Sequence, residues 1–214
     1  MLVAASPAMT AQDILHATHA KYATMRSYQD RGVVLTKFPS EPEADETAFA
    51  TFFRRPDRFR FDWTTHHPYS GLRHLRTHRV IWSDGTGAFL YSDRDGAIEP
   101  QESLRMAIAG ATGVSSGAAH TVSPLLMSDV GGFTLSQLQR LTLQDGECDG
   151  AQCHRIGGYH PTGEFYEVFV DIQDLLIRRV SEPDCDGVAS DELRRDIRVD
   201  EPIDEQTFQF RPAS

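Results

Sequence analysis

No stretch of this 214-residue chain approaches the roughly 20 consecutive apolar residues that a bilayer-crossing helix needs. An integral membrane protein is therefore not expected. Positive charge is also scarce: 21 Lys and Arg stand against 31 Asp and Glu, a net charge of -10. Such a field repels phosphate backbones, so no nucleic-acid partner is expected. A glycine-rich phosphate cradle is missing. The opening "MLVAASPAMTAQ" lacks both the basic segment and the roughly 7–15-residue apolar segment of a secretion leader. Val3-Ala4-Ala5 is nevertheless the small-residue text found before a leader cut, so residues 1–9 read as a disordered remnant of a trimmed leader, with an ordinary cytosolic start as the alternative.

Cysteine is sparing too, with three residues. Cys148 and Cys153 flank Asp149-Gly150-Ala151-Gln152, and Asp-Gly between strand-like runs signals a hairpin. A four-residue loop would set the two thiols across from each other. A disulfide is expected there, contributing about 2 kcal/mol by loop closure and pointing to an oxidising compartment. A half zinc site is the competing reading, but no second cluster supplies the remaining ligands. Cys185 has no evident partner.

What the chain has is alternation. Thr10 and Asp13 form a capping-box pair, after which Ile14, Leu15, Thr18, Tyr22 and Met25 share one helical face. From Ser27 the apolar period becomes two. "SYQDRGVVLTKF", "TAFATFF", "RFRFDW", "LRHLRTHRVIW" and "AFLYSD" read as strands, with a turn at Arg55-Pro56-Asp57. Pro100 then opens a short helix carrying Leu104, Ala107 and Ile108, and Ser123-Pro124 starts another, "PLLMS". Strand rhythm returns in "LQRLTLQDGEC", "AQCHRIGGY", "EFYEVFVDI", "LLIRRVSEP", "LRRDIRVD" and "TFQF". In "LRRDIRVD", Leu193, Arg195, Ile197 and Val199 alternate with Arg194, Asp196, Arg198 and Asp200. Parallel crossover units are absent, so the predicted fold is α+β, mainly β. It is one strongly curled antiparallel sheet of about ten or eleven strands, because twist accumulates across so many. The expected organisation is a single half-barrel domain over residues 10–214, with a helical insertion near 100–128 covering the concave face.

The helix ending in "KYATMRSYQDRG", then "FFRRPDRFRFDW", "VIWSDG", the helical middle, "DGAQCHRI" and the final "TFQF" resemble the periplasmic lipoprotein-carrier superfamily (LolA/LolB-like), over roughly residues 10–212. The resemblance implies a half-open barrel with a helical lid and an apolar face that holds acyl chains. It implies a periplasmic monomer whose ligand is a lipid or acylated lipoprotein, with a membrane-associated protein as possible partner. In those carriers an arginine near the second strand helps hold the closed state, and Arg54 or Arg55 stands in the similar place. No lipobox cysteine is present.

The ligand-binding residues expected on the concave face and lid are Phe59, Phe61, Trp63, Leu104, Ile108, Leu125 and Leu126. Gly110, Gly113 and Gly117 are expected to form a hinge linking the two short helices. Gly113-Val114-Ser115-Ser116-Gly117 matches the G-x-S-x-G turn of serine hydrolases, but that elbow needs a preceding strand and an α/β sheet, and here the preceding text is helical. Ser115 reads as a bystander, and no catalytic residue, metal site or cofactor is expected. His74 and His78 would stand about 13 Å apart along a strand, too far to share an ion. Besides the carrier, an envelope sensor or protein-interaction module on the same fold remains open.

Overall fold

Thr10 opens the first helix with reciprocal bonds: its hydroxyl accepts from the Asp13 backbone N–H at 3.2 Å, and the Asp13 carboxylate accepts from the Thr10 N–H at 3.0 Å. Helix α1 (Ala11–Thr24) then buries Ile14, Leu15, Thr18 and Tyr22. The computed structural model describes residues 9–67, 76–132, 134–185 and 187–212; the expected 1–9 remnant, apart from residue 9, and His74 lie outside them.

The remaining frame is one antiparallel sheet of β1 (Ser27–Lys37), β2 (Asp45–Arg54), β3 (Arg58–His66), β4 (Arg76–Asp84), β5 (Ala88–Ser92), β6 (Ile98–Gln101), β7 (Gln139–Cys148), β8 (Ala151–Tyr159), β9 (Phe165–Asp171), β10 (Ile177–Cys185) and β11 (Val188–Val199). The order β6-β5-β4-β3-β2-β1-β11-β10-β9-β8-β7 consists of two meanders joined by the β1–β11 pairing. Among the described residues β6 and β7 do not pair with each other, so the sheet stays open. The β6–β7 connection carries α2 (Leu104–Val114), α3 (Ala118–Thr121) and α4 (Ser123–Leu126).

Two boundaries differ from the sequence reading. Pro100 lies in strand β6, opposite Phe89, and the helix starts four residues later at Leu104, behind the cap Ser103, whose hydroxyl accepts from the Met106 N–H. An edge strand tolerates the N–H that proline lacks. "TFQF" is not a strand: Glu205–Phe208 forms a 3-10 turn. Its aromatics are satisfied by packing on the convex face, where Phe210 lies 5.2 Å from Trp82 and 5.0 Å from Tyr91. Arg60 holds this segment by donating to the Thr207 carbonyl at 2.9 Å. The outward arginines of β3 thus anchor the C-terminal segment.

The expected disulfide is absent. Asp149 and Gly150 both take positive φ, 50° and 80°, so the β7–β8 turn has two residues, not four. Cys148 consequently pairs with Ala151 and Cys153 with Gly146. The cysteines are diagonal neighbours, at a spacing of roughly 7–8 Å between Cα atoms, whereas a disulfide needs roughly 4.4–6.8 Å. Both are free thiols buried beside Phe169. Burial pushes the Cys148 thiol up to about 12 and raises Cys153 as well. With Cys185→Ser removing the third thiol, neither remaining cysteine is expected to react with Ellman's reagent in the native protein, and both are expected to react in urea. Intact-mass measurement should find no loss of two hydrogens; finding that loss would restore the disulfide.

The concave face and its helical cover

Alternation along each strand divides the sheet into two faces, and cross-strand register aligns them into rows. Tyr28, Phe53 and Phe59 form one row across β1–β3, and Phe49 pairs with Trp63 in another. Phe53, Phe59 and Phe61 are fully buried and Trp63 is 1% exposed. Phe61 stacks between Phe49 at 5.7 Å and Trp63 at 5.4 Å. These side chains do not line an empty trough. Ile108 of α2 and Leu125 and Leu126 of α4 are buried against them in the same apolar cluster, with Leu104 packed at its margin. All seven residues expected to bind ligand therefore lie together in one continuous apolar layer between sheet and insertion.

The insertion is fastened through backbone carbonyls of its short helices. Trp63 donates its indole N–H to the Val114 carbonyl at 3.0 Å, at the end of α2. Arg194 donates to the Ala118 carbonyl at 3.0 Å, at the start of α3. Arg55 donates to the Leu126 carbonyl at 2.8 Å, at the end of α4. The same guanidinium also donates to the Met25 carbonyl at 2.8 Å and to that of Ala23, so it joins the end of α1 to the end of α4. Arg54 points elsewhere, to the Ile203 carbonyl and Glu205 on the convex side. Of the two arginines, Arg55 is the one that ties the insertion to α1.

Beneath α3 lies a polar group that the sequence reading missed. Arg194 is fully buried between the carboxylates of Asp30 and Glu192. Tyr28 donates its hydroxyl to Asp30 at 2.6 Å, the Thr51 N–H donates to the other Asp30 oxygen at 3.1 Å, and Thr121 donates to Glu192 at 2.6 Å. Burial raises the Glu192 carboxyl against the pull of Arg194. Burial would lower Arg194, but Glu192 and Asp30 overcome it and hold the guanidinium well above its ordinary range. The reason for the miss is a bulge. Register shifts between Gln29 and Arg31 opposite β11, where Asp196 has φ 52°. A bulge switches the phase of alternation. Glu192 and Arg194 point inward on one side of it, Ile197 and Val199 pack inward on the other, and Leu193 and Arg195 leave the inner face.

Ser115 is fully buried at the end of α2, where its hydroxyl accepts from the Ala119 N–H at 3.2 Å. A helix precedes it, so the G-x-S-x-G match builds no nucleophile elbow. Gly110 and Gly113 lie inside α2, not in a link; only Gly117 stands at the joint, with φ 89°. Helical spacing from Leu104 simply continues through them. Among the described residues no three His, Cys, Asp or Glu side chains gather to hold a metal, and no helix is long and apolar enough to cross a membrane.

No protein-family model matches the chain, and no curated relative does. Solved structures do. An uncharacterized conserved protein from Thermus thermophilus is similar at 13% identity and TM-score 0.54, over 95% of each chain. LprF from Mycobacterium bovis is similar at 14% identity and TM-score 0.55, over 93% of this chain and 97% of that one. A LolA superfamily protein from Nitrosomonas europaea also matches, more loosely, at 10% identity and TM-score 0.36, over 94% and 98%. LolA superfamily proteins thus stand among the structural neighbours. At these identities the fold is what is shared: an open, curled antiparallel sheet with a helix ahead of it and a helical cover on its concave face.

Proposed function

We propose that the protein is a non-enzymatic carrier working outside the cytoplasm, which takes the apolar chain of a lipid or acylated lipoprotein between its concave face and the helical insertion. The insertion then acts as a lid. The observation that carries this reading is the clasp: Arg55 bridges α1 and α4 through backbone carbonyls alone. Contacts of this kind release without exposing a buried charge, since a guanidinium at the margin is readily rehydrated. Under the lid is an apolar layer in which a chain of CH₂ groups replaces the lid's own side chains at about 0.8 kcal/mol per buried CH₂. Gly117, in the left-handed region and with open space around it, is the proposed pivot. Met106 and Val114 leave the outer surface of α2 apolar and exposed, a fitting contact for a membrane-associated donor or acceptor.

The test is uptake of a fluorescent fatty acid, followed by its emission, together with mass spectrometry of organic extracts of the purified protein. Arg55→Leu is expected to raise the rate of uptake about fivefold or more, since the lid loses its tie to α1. Failure of both wild type and variant to bind any chain, with no lipid in the extracts, would sink the carrier reading.

A further inference from the structure

Beside the apolar layer is a cleft of about 170 Å³ at the α3 margin of the lid. Its polar lining includes Tyr166, Glu182, Ser190 and Glu192 on the sheet and His120 and Thr121 on α3, with the hydroxyls of Thr112 and Ser116 beside them. Val180 and Leu135 also line it and belong to the apolar core, so the cleft opens directly from the layer proposed to hold the chain.

The charges of this cleft have one sign. No lysine or arginine is among its lining residues. Glu192 reaches it from the buried network, where one guanidinium serves two carboxylates, leaving that network one negative charge in excess when all three are ionised. Glu182 sits across the ladder from Ser190, half-buried, and among the described residues no cation pairs with it. His120 cannot substitute for one, because burial lowers its pKa and keeps the ring neutral near pH 7. An anionic head entering here would meet two carboxylates in a partly dehydrated cleft. An ammonium head would meet the carboxylate of Glu182, the hydroxyls of Thr121 and Ser190, and the Tyr166 ring, which can also offer its face to a cation.

We propose that this cleft seats an ammonium group, the head of an amphiphile whose chain lies under the lid. The chain half of this inference rests on the carrier reading; the head half rests on the cleft. Calorimetric titrations below the micellar range separate them, using dodecylammonium, dodecanol, dodecyl sulfate and propylammonium. Dodecylammonium is expected to bind about tenfold more tightly than dodecanol, and dodecyl sulfate more weakly than either. Glu182→Gln, a substitution of nearly equal size at the cleft's rim, should cut the ammonium preference to about threefold or less while leaving dodecanol unchanged. That control matters because a protein of net charge -10 attracts any cation; general attraction would hardly change on removing one carboxylate of many. Equal affinity for the three heads, a preference for sulfate, or an ammonium preference unmoved by Glu182→Gln would overturn the proposal while leaving the carrier intact. Propylammonium binding that is lost in Glu182→Gln, with no binding of dodecanol, would keep the ammonium site for a free amine and overturn the carrier. If neither binds, both fall.

Discussion

Replacing Arg194 by methionine is expected to destabilise the protein by about 3–5 kcal/mol, the range for removing one partner of a buried ion pair. For a chain of this size that is a fall in melting temperature of about 6–20 °C. Methionine fills much of the space, so the loss is electrostatic: Asp30 and Glu192 remain buried with no cation between them. The Ala118 carbonyl also loses its donor, and the Phe49 ring loses the guanidinium 4.8 Å from its centre. Urea unfolding at pH 7 measures the cost; a loss under about 1 kcal/mol would show that water screens the group. Glu192→Gln should behave oppositely. It keeps an acceptor for Arg194 and a partner for Thr121, and it removes the network's excess charge, so stability at pH 7 should hold or rise. The pH dependence fixes the sign. Burial raises Glu192 above its ordinary 4.5, so the folded state holds that proton more tightly than the unfolded state. Its favourable contribution is complete below about pH 4.5 and is lost as pH rises through the raised value. Glu192→Gln should abolish that slope just above pH 4.5.

Most of the frame was legible because it rests on local rules. A capping box starts α1, period-two alternation marks β1 to β5 and β7 to β11, and absence of crossover units makes the sheet antiparallel. The shared inward face of Phe59, Phe61 and Trp63 followed from the same alternation, and the three are buried with Ile108, Leu125 and Leu126 in one apolar cluster. Where the reading failed, one residue of register decided the outcome. A two-residue turn at Asp149-Gly150 moved Cys148 and Cys153 onto a diagonal, and a bulge near Asp196 turned Arg194 inward. Neither leaves a compositional trace: Asp-Gly suits several loop lengths, and "LRRDIRVD" alternates as cleanly with the bulge as without it. The clasp had a different obstacle. Arg54 and Arg55 are adjacent and identical in type, so only the side of the strand distinguishes the clasp from a convex-face anchor.

Truncating Trp63 to alanine is expected to cost about 3–5 kcal/mol, the range for emptying a buried aromatic site. The side chain is 1% exposed, packs 5.4 Å from Phe61, and donates to the Val114 carbonyl, so the variant opens a hole and unfastens the end of α2 together. Trp63→Phe separates those terms. It refills most of the volume but leaves that carbonyl without its donor, a loss of about 1–3 kcal/mol. The cavity left by alanine lies in the layer where the carrier reading places the ligand's chain. A saturating apolar ligand should therefore stabilise Trp63→Ala more than wild type, since in wild type the lid's own side chains must first be displaced. At a hundred times its dissociation constant a ligand contributes about 2.7 kcal/mol to the native state. Trp82 packs on the convex side, against Phe89 at 5.2 Å and Phe210, so Trp82→Phe leaves Trp63 as the sole indole reporting from beneath the lid. Chain binding should change the emission of that variant, while wild type and Trp82→Phe bind alike. Stabilisation by ligand that is equal in Trp63→Ala and wild type, with no change in Trp63 emission, would place the chain elsewhere on the molecule and separate the cover from the binding of ligand.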